Sequence, residues 1–140
     1  MSRTLGIDYG TVRIGLALSD PTETLASPLP HLVNKTIPQI RDFLNELIQT
    51  HAISKIIVGL PRNMDGSYGP AAEKVRNFIS QIQESLSTPI ETQDERLTTV
   101  QASKQLSQMG LNQKELRKKI DSSSASLILQ QYLDRKRLSP

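Results

Sequence analysis

The sequence predicts an α/β domain, a mixed five-stranded sheet flanked by helices. Two observations carry this reading. Three short extended stretches come first, at 4–9, 13–19 and 24–33, joined too closely for anything but antiparallel neighbours. After them, strands and helices alternate, the order that lays helices on the faces of a sheet. A composition of 36% hydrophobic and 22% charged residues over 140 positions supports one domain, 1–140, with a real core.

Residues 4–9 (TLGIDY) and 13–19 (RIGLALS) flank Gly10, Thr11 and Val12, the pattern of a hairpin whose first strand is buried. The stretch within 24–33 carries Pro28 and Pro30, which confines it to an edge. From Ile37, the set Ile37, Ile40, Leu44, Leu47 and Ile48 recurs at helical steps. Lys55–Leu60 is a β-branched strand ended by Pro61, and the loop RNMDGSYGP follows. Pro70 suits the first turn of a second helix with the stripe Val75, Phe78, Ile79, Ile82 and Leu86. Residues 89–94 read as another strand. Helices are expected at 97–109 and 120–136, separated by Gly110 and the polar, basic stretch 111–119.

The net charge of +3 is unevenly placed. Residues 1–50 and 51–100 each sum to −1, whereas the last forty carry eight basic against three acidic side chains. A basic segment of this kind is the footprint of a polyanion partner such as nucleic acid, although Arg135–Arg137 read equally well as a solvated helix end. With no cysteine and two separated histidines, a disulfide framework and a thiolate zinc site are excluded, so any metal would be held by carboxylates, which favours Mg²⁺ or Mn²⁺. No apolar run is long enough for a membrane span and no signal-peptide pattern is present, so a cytoplasmic protein is expected.

Three acids do not look like ordinary surface. Alternation sends Leu5, Ile7 and Tyr9 to one face of the first strand and Thr4, Gly6 and Asp8 to the other. An Asp inside a central strand needs a compensating partner. Capping of the following turn is the competing explanation. Asp94 and Glu95 close the strand before 97–109, where side chains from adjacent strand ends converge in an open sheet, although one of them could serve the next helix N-terminus. Asp121 shares a helical row with Ala125, Ile128 and Tyr132, and it also stands in a good N-cap context before three serines. Together these acids would form a carboxylate cluster that like-charge repulsion forbids without cations.

The segments LGIDYGTVRIGLALSD at 5–20, GLPRNMDGSYGP at 59–70, DERLTT at 94–99 and KKIDSSSASLILQQYL at 118–133 resemble the YqgF family, also called RuvX. The resemblance spans nearly the whole chain. It implies a ribonuclease H-like fold and endonuclease activity on structured nucleic acid, with 5′-end maturation of the 16S ribosomal RNA precursor as the expected role and Holliday junction cleavage as the alternative. The family's acidic triad carries over onto Asp8, Glu95 and Asp121, with Asp94 as the other candidate for the middle position. Such a site would hold one or two Mg²⁺ or Mn²⁺ ions, to activate water and stabilise the leaving 3′ oxygen.

Arg13, Arg62, Arg96 and Lys119 are candidate phosphate or substrate contacts. The loop from Arg62 to Pro70, with Tyr68, is either a substrate-contacting rim or a plain connector. Aromatics make up only 4% of the chain, so phosphate contact and shape should dominate recognition over base stacking.

Two rivals remain. Asp8-Tyr9-Gly10-Thr11 also resembles the phosphate-binding segment of actin-like and sugar-kinase ATPases, which pair two such domains. A non-catalytic RNA-binding or ribosome-associated factor on the same fold is the other. A monomer or weak homodimer is expected.

Overall fold

The structure, a computed structural model, describes residues 2–63, 65–94 and 113–138, and within the last stretch the side chains of residues 124–136. The elements are β1 (Arg3–Asp8), β2 (Arg13–Ser19), β3 (Ala26–Val33), α1 (Ile37–His51), β4 (Ile53–Leu60), α2 (Pro70–Gln83), β5 (Ile90–Asp94) and α3 (Gln113–Leu138). The sheet order is β3-β2-β1-β4-β5. The two hairpins on the β3 side are antiparallel, and β1, β4 and β5 run parallel. The proline-bearing strand β3 is at an edge, as its composition requires.

The alternation read in β1 holds. Leu5 and Ile7 join Ile14, Leu16, Ile56 and Val58 on one face, packed against Ile40 and Leu44 of α1 and Val75, Phe78 and Ile82 of α2. Tyr9 continues that face and stacks on Phe78 with ring centroids 4.4 Å apart. Burying each of these large side chains contributes about 1.5–3 kcal/mol, which makes this layer the main source of stability. On the opposite face, Ala17 and Ile57 pack against Ala125, Ile128, Leu129, Tyr132 and Leu133 of α3.

On β1 and β2 the second face is built from small residues, Gly6, Gly15 and Ala17, with Ile57 of β4 the large strand side chain beside them. A Cβ on Gly6 would stand 2.9 Å from Leu129 Cβ and 3.1 Å from the Ala125 carbonyl oxygen, so only glycine lets the helix lie this close.

The start of α1 is fixed by a capping box. Thr36 Oγ1 accepts from the Gln39 backbone N–H, and the Gln39 side chain accepts from the Thr36 backbone N–H. Such a cap contributes about 1 kcal/mol.

The structure differs from the sequence reading at α3. Residues 113–119 are helical rather than a polar separator, because Gln, Lys, Glu, Leu and Arg are strong helix formers even without an apolar stripe. Asp121 therefore falls inside the helix and is not its N-cap. The helix expected at 97–109 lies outside the described residues.

Candidate functional site

Strand register sets the position of Asp8. It is the last residue of the central strand β1, opposite Gly15 of β2, and its predecessor Ile7 is opposite Val58 of β4. Alternation from Thr4 and Gly6 places it on the α3 face, half-buried. Gly15 contributes no side chain beside it, which leaves room on that face. The turn that follows is tight, since a Cβ on Gly10 would approach the Arg13 carbonyl oxygen to 2.3 Å. Asn34 clamps this turn, its Nδ2 donating to Gly10 O at 2.8 Å and its backbone N–H to Val12 O at 2.8 Å.

Helix α3 runs in the direction opposite to β1. Lys55, the β4 residue opposite Thr4, donates from Nζ to the Tyr132 hydroxyl at 3.0 Å, and one pleat further along Gly6 meets Ala125 and Leu129. Position 121 is one helical turn before Ala125. A turn advances about 6 Å, close to the roughly 6.7 Å between Gly6 and Asp8 along a strand, so the backbone carries position 121 toward the Asp8 end of β1.

The middle acid separates into two cases. Asp94 is opposite Leu60, which belongs to the α1/α2 core, so Asp94 and Asp8 project from opposite faces. Asp94 is instead engaged by Arg62 Nη1 at 3.3 Å. Its neighbour Gln93 is the residue on the α3 face, where its Oε1 accepts from Arg135 Nη2 at 2.6 Å. Glu95 and Arg96 lie outside the described residues, and the side chains of Lys119 and Asp121 do so as well.

Of the candidate cationic contacts, Arg13 is exposed at the start of β2, on the same face as Gly15 and Ala17. Arg62 is held within its loop, donating from Nε to Gly66 O at 2.5 Å with its guanidinium 5.1 Å from the Tyr68 ring centroid. The loop after β4 is bonded within itself. Asp65 Oδ1 accepts from the Ser67 backbone N–H at 2.9 Å and from Ser67 Oγ at 2.6 Å, Asn63 N–H donates to Ser67 O at 2.8 Å, and Gly66 supplies the positive φ of 91° that the turn needs.

The far end of the sheet is electrostatically closed. Glu23 Oε1 accepts from Thr4 Oγ1 at 2.6 Å, and Glu23 Oε2 meets Lys136 at 3.2 Å. The Thr4 hydrogen bond first, and Lys136 after it, hold the Glu23 carboxyl below its ordinary pKa. Lys55 bridges Tyr132 and Glu91, the latter at 3.1 Å, and these partners raise its pKa, with Tyr132 the larger cause. Composition alone did not single out this lysine and tyrosine, because both belong to ordinary strand and helix stripes. Their signal is through-space.

Among the described residues, no three His, Cys, Asp or Glu side chains are grouped to hold a metal, and no helix is long and apolar enough to cross a membrane. An apolar cleft of about 460 Å³ between β3 and α1 is lined by Leu29, Leu32, Phe43 and Leu47, on the side of the sheet away from Asp8. It offers no carboxylates.

This mixed sheet, with an aspartate ending the central strand beneath a helix, is the ribonuclease H-like fold of resolvases. The chain superposes on Thermus thermophilus RuvC in complex with Holliday junction substrate with a TM-score of 0.57 at 17% identity, covering 97% of this chain and 96% of that one. On the fowlpox virus resolvase in complex with Holliday junction DNA the TM-score is 0.55 at 11% identity, covering 98% and 99%.

The sequence places it more narrowly. The family model RuvX, Holliday junction resolvase, matches residues 2–135. A protein of Halothermothrix orenii (strain H 168) named "Putative pre-16S rRNA nuclease" is 43% identical over 132 residues, 94% of each chain. One of the same name from Moorella thermoacetica is 42% identical over 133 residues, 95% of each chain. The chain belongs to the RuvX family.

Proposed function

We propose that this protein is a divalent-metal-dependent endonuclease that matures the 5′ end of the 16S ribosomal RNA precursor. The observation that supports it most is Asp8, a half-buried carboxylate ending the central strand on the face that α3 covers. Asp121 on α3 and Glu95 after β5 complete the proposed triad. Asp94 is the weaker choice for the middle position, since it faces the other core and is engaged by Arg62.

Carboxylate oxygens are hard donors that suit Mg²⁺ or Mn²⁺, so the donor set fits such an ion. When bound, the ion supplies positive charge to a phosphodiester transition state. The chain's own contribution is placement, with a strand end and a helix holding the carboxylates and Arg13 offering a cation on the same face.

Cleavage of branched DNA is a second reading, favoured by the description of the matching family. One experiment addresses both. Wild type and Asp8→Asn at equal concentration are incubated with a 16S precursor fragment and with a four-way DNA junction, with Mg²⁺, Mn²⁺ or EDTA. Loss of a catalytic carboxylate should slow cutting at least about 100-fold while nucleic-acid binding persists. Equal rates for the two proteins would remove Asp8 from the site, and binding without cutting by wild type would favour a non-catalytic factor.

A further inference from the structure

Tyr68 is an exposed ring with two guanidinium groups against it. The Arg62 Cζ is 5.1 Å from the ring centroid and the Arg76 Cζ, on α2, is 4.8 Å from it, so the two cations are at most 9.9 Å apart. Tyr68 as a residue keeps 45% of its surface in solvent. Arg62 has the Asp94 carboxylate at 3.3 Å, whereas Arg76 has no ion pair among the described residues. Arg62 shares its charge with Asp94, so of the two guanidiniums on the ring it is that of Arg76 which faces an arriving anion without an ion pair among the described residues.

The location narrows the anion. Loop 61–69 leaves β4 at Leu60, beside the end of β1 that carries Asp8, and the parallel pairing puts both at one rim of the sheet. Asp8 and the loop thus share one rim of the sheet, Asp8 on the α3 side and Arg62 with Arg76 on the α2 side. In the sequence the loop with Arg62 and Tyr68 reads as either a substrate-contacting rim or a plain connector, and Arg76 carries no signal, because the stripe of Val75, Phe78 and Ile82 assigns position 76 to solvent.

We propose that Arg62, Tyr68 and Arg76 form a clamp for the phosphodiester backbone of a nucleic-acid strand crossing the rim toward Asp8. The inference rests on the nuclease reading for its direction, but the clamp itself needs only binding. Stacking on the ring orients the planar guanidinium forks before the ligand arrives, so less side-chain entropy is lost on binding, and a fork can engage a phosphate through two hydrogen bonds. Arg62 is anchored by Asp94 and Gly66 O, while Arg76 brings the charge that is not already neutralised. With both guanidiniums on its ring, Tyr68 is a support for cations rather than a platform for bases.

The test uses the full chain and a labelled single-stranded RNA oligonucleotide, with EDTA to suppress cutting, over a range of KCl concentrations. Arg76→Ala should weaken binding on the order of fivefold and lower the slope of log K against log salt by about 0.7. Tyr68→Ala should lose part of that affinity with the slope kept, since it frees Arg76 from the ring while Arg62 keeps its bonds to Asp94 and Gly66 O. Arg76→Lys should keep the slope but lose part of the affinity, because an ammonium cannot reproduce the fork. Arg41→Ala on α1, paired with Asp42, should leave affinity and slope as in wild type.

A wild-type slope in Arg76→Ala overturns the clamp, as does an equal loss in Arg41→Ala. So does an acidic peptide that displaces the RNA as readily as unlabelled RNA does. If Arg76→Ala loses slope while Asp8→Asn cuts like wild type, the clamp stands and the assignment of Asp8 falls. If Arg76→Ala binds normally while Asp8→Asn fails to cut, the reverse holds.

Discussion

The two faces of the sheet are made of different materials. Toward α1 and α2, β1, β2 and β4 present Leu5, Ile7, Ile14, Leu16, Ile56 and Val58, large side chains that set the helices off from the strands. Toward α3, β1 and β2 present Gly6, Gly15 and Ala17 beside Ile57 of β4, and the helix answers with Ala125, so its backbone comes within contact distance of β1. The first face gains stability from buried area. The second gives up bulk for proximity, and it is the face of Asp8. A carboxylate on a strand end and one on a helix can converge only where the two elements lie close.

Substitutions on the two faces should therefore fail in different ways. The largest loss of stability is expected from Phe78→Ala, which empties the α2 side of the first core and removes the ring beneath Tyr9. It should cost about 3–5 kcal/mol in urea unfolding, while the fraction still folded cuts nucleic acid at the wild-type rate. Gly6→Ala adds one methyl group to the thin face. It should cost about 1–3 kcal/mol and reduce the cutting rate of fully folded protein severalfold, because the helix is pushed away from β1. If Gly6→Ala lost stability alone, the link between proximity and activity would fail.

Smaller effects come from the closed end of the sheet and the β2–β3 turn. Tyr132→Phe removes the hydroxyl that accepts from Lys55 and should cost about 1 kcal/mol. The raised Lys55 pKa adds stability that is complete below its ordinary value of 10.5 and lost as pH rises through the raised one, so the difference between Tyr132→Phe and wild type should shrink in strong alkali.

Asp20 is lowered from 3.8 to about 2 by the Thr22 hydroxyl and the backbone N–H groups of Leu25 and Thr24. Its contribution is present above pH 3.8 and lost as pH falls toward 2. Asp20→Asn should flatten the acid limb of thermal stability in that window and leave neutral cutting unchanged.

Much of this was legible in the residues. Period-two alternation in TLGIDY separated Asp8 from the apolar face, and helical spacing located α1 and α2, because each buries one clear stripe. Residues 113–119 carry no stripe, so their helical state, which depends on propensity, was missed. The strand IETQD has a single strongly apolar residue, too little to reveal its faces, and only the pairing of Leu60 with Asp94 shows that Asp94 turns away from Asp8. The contact of Arg76 with Tyr68 joins a loop to a helix face and has no sequence period at all.

Helix α3 begins more than a hundred residues after β1 ends. The described residues that pack on the α1/α2 side all precede position 95, whereas the cover on the other side of β1, α3, begins only at 113. Until α3 emerges and docks on Gly6, the strand end carrying Asp8 has no partner from the helix. The proposed site can therefore be complete only after the helix has docked, which makes α3 the last described element on which the proposed chemistry depends.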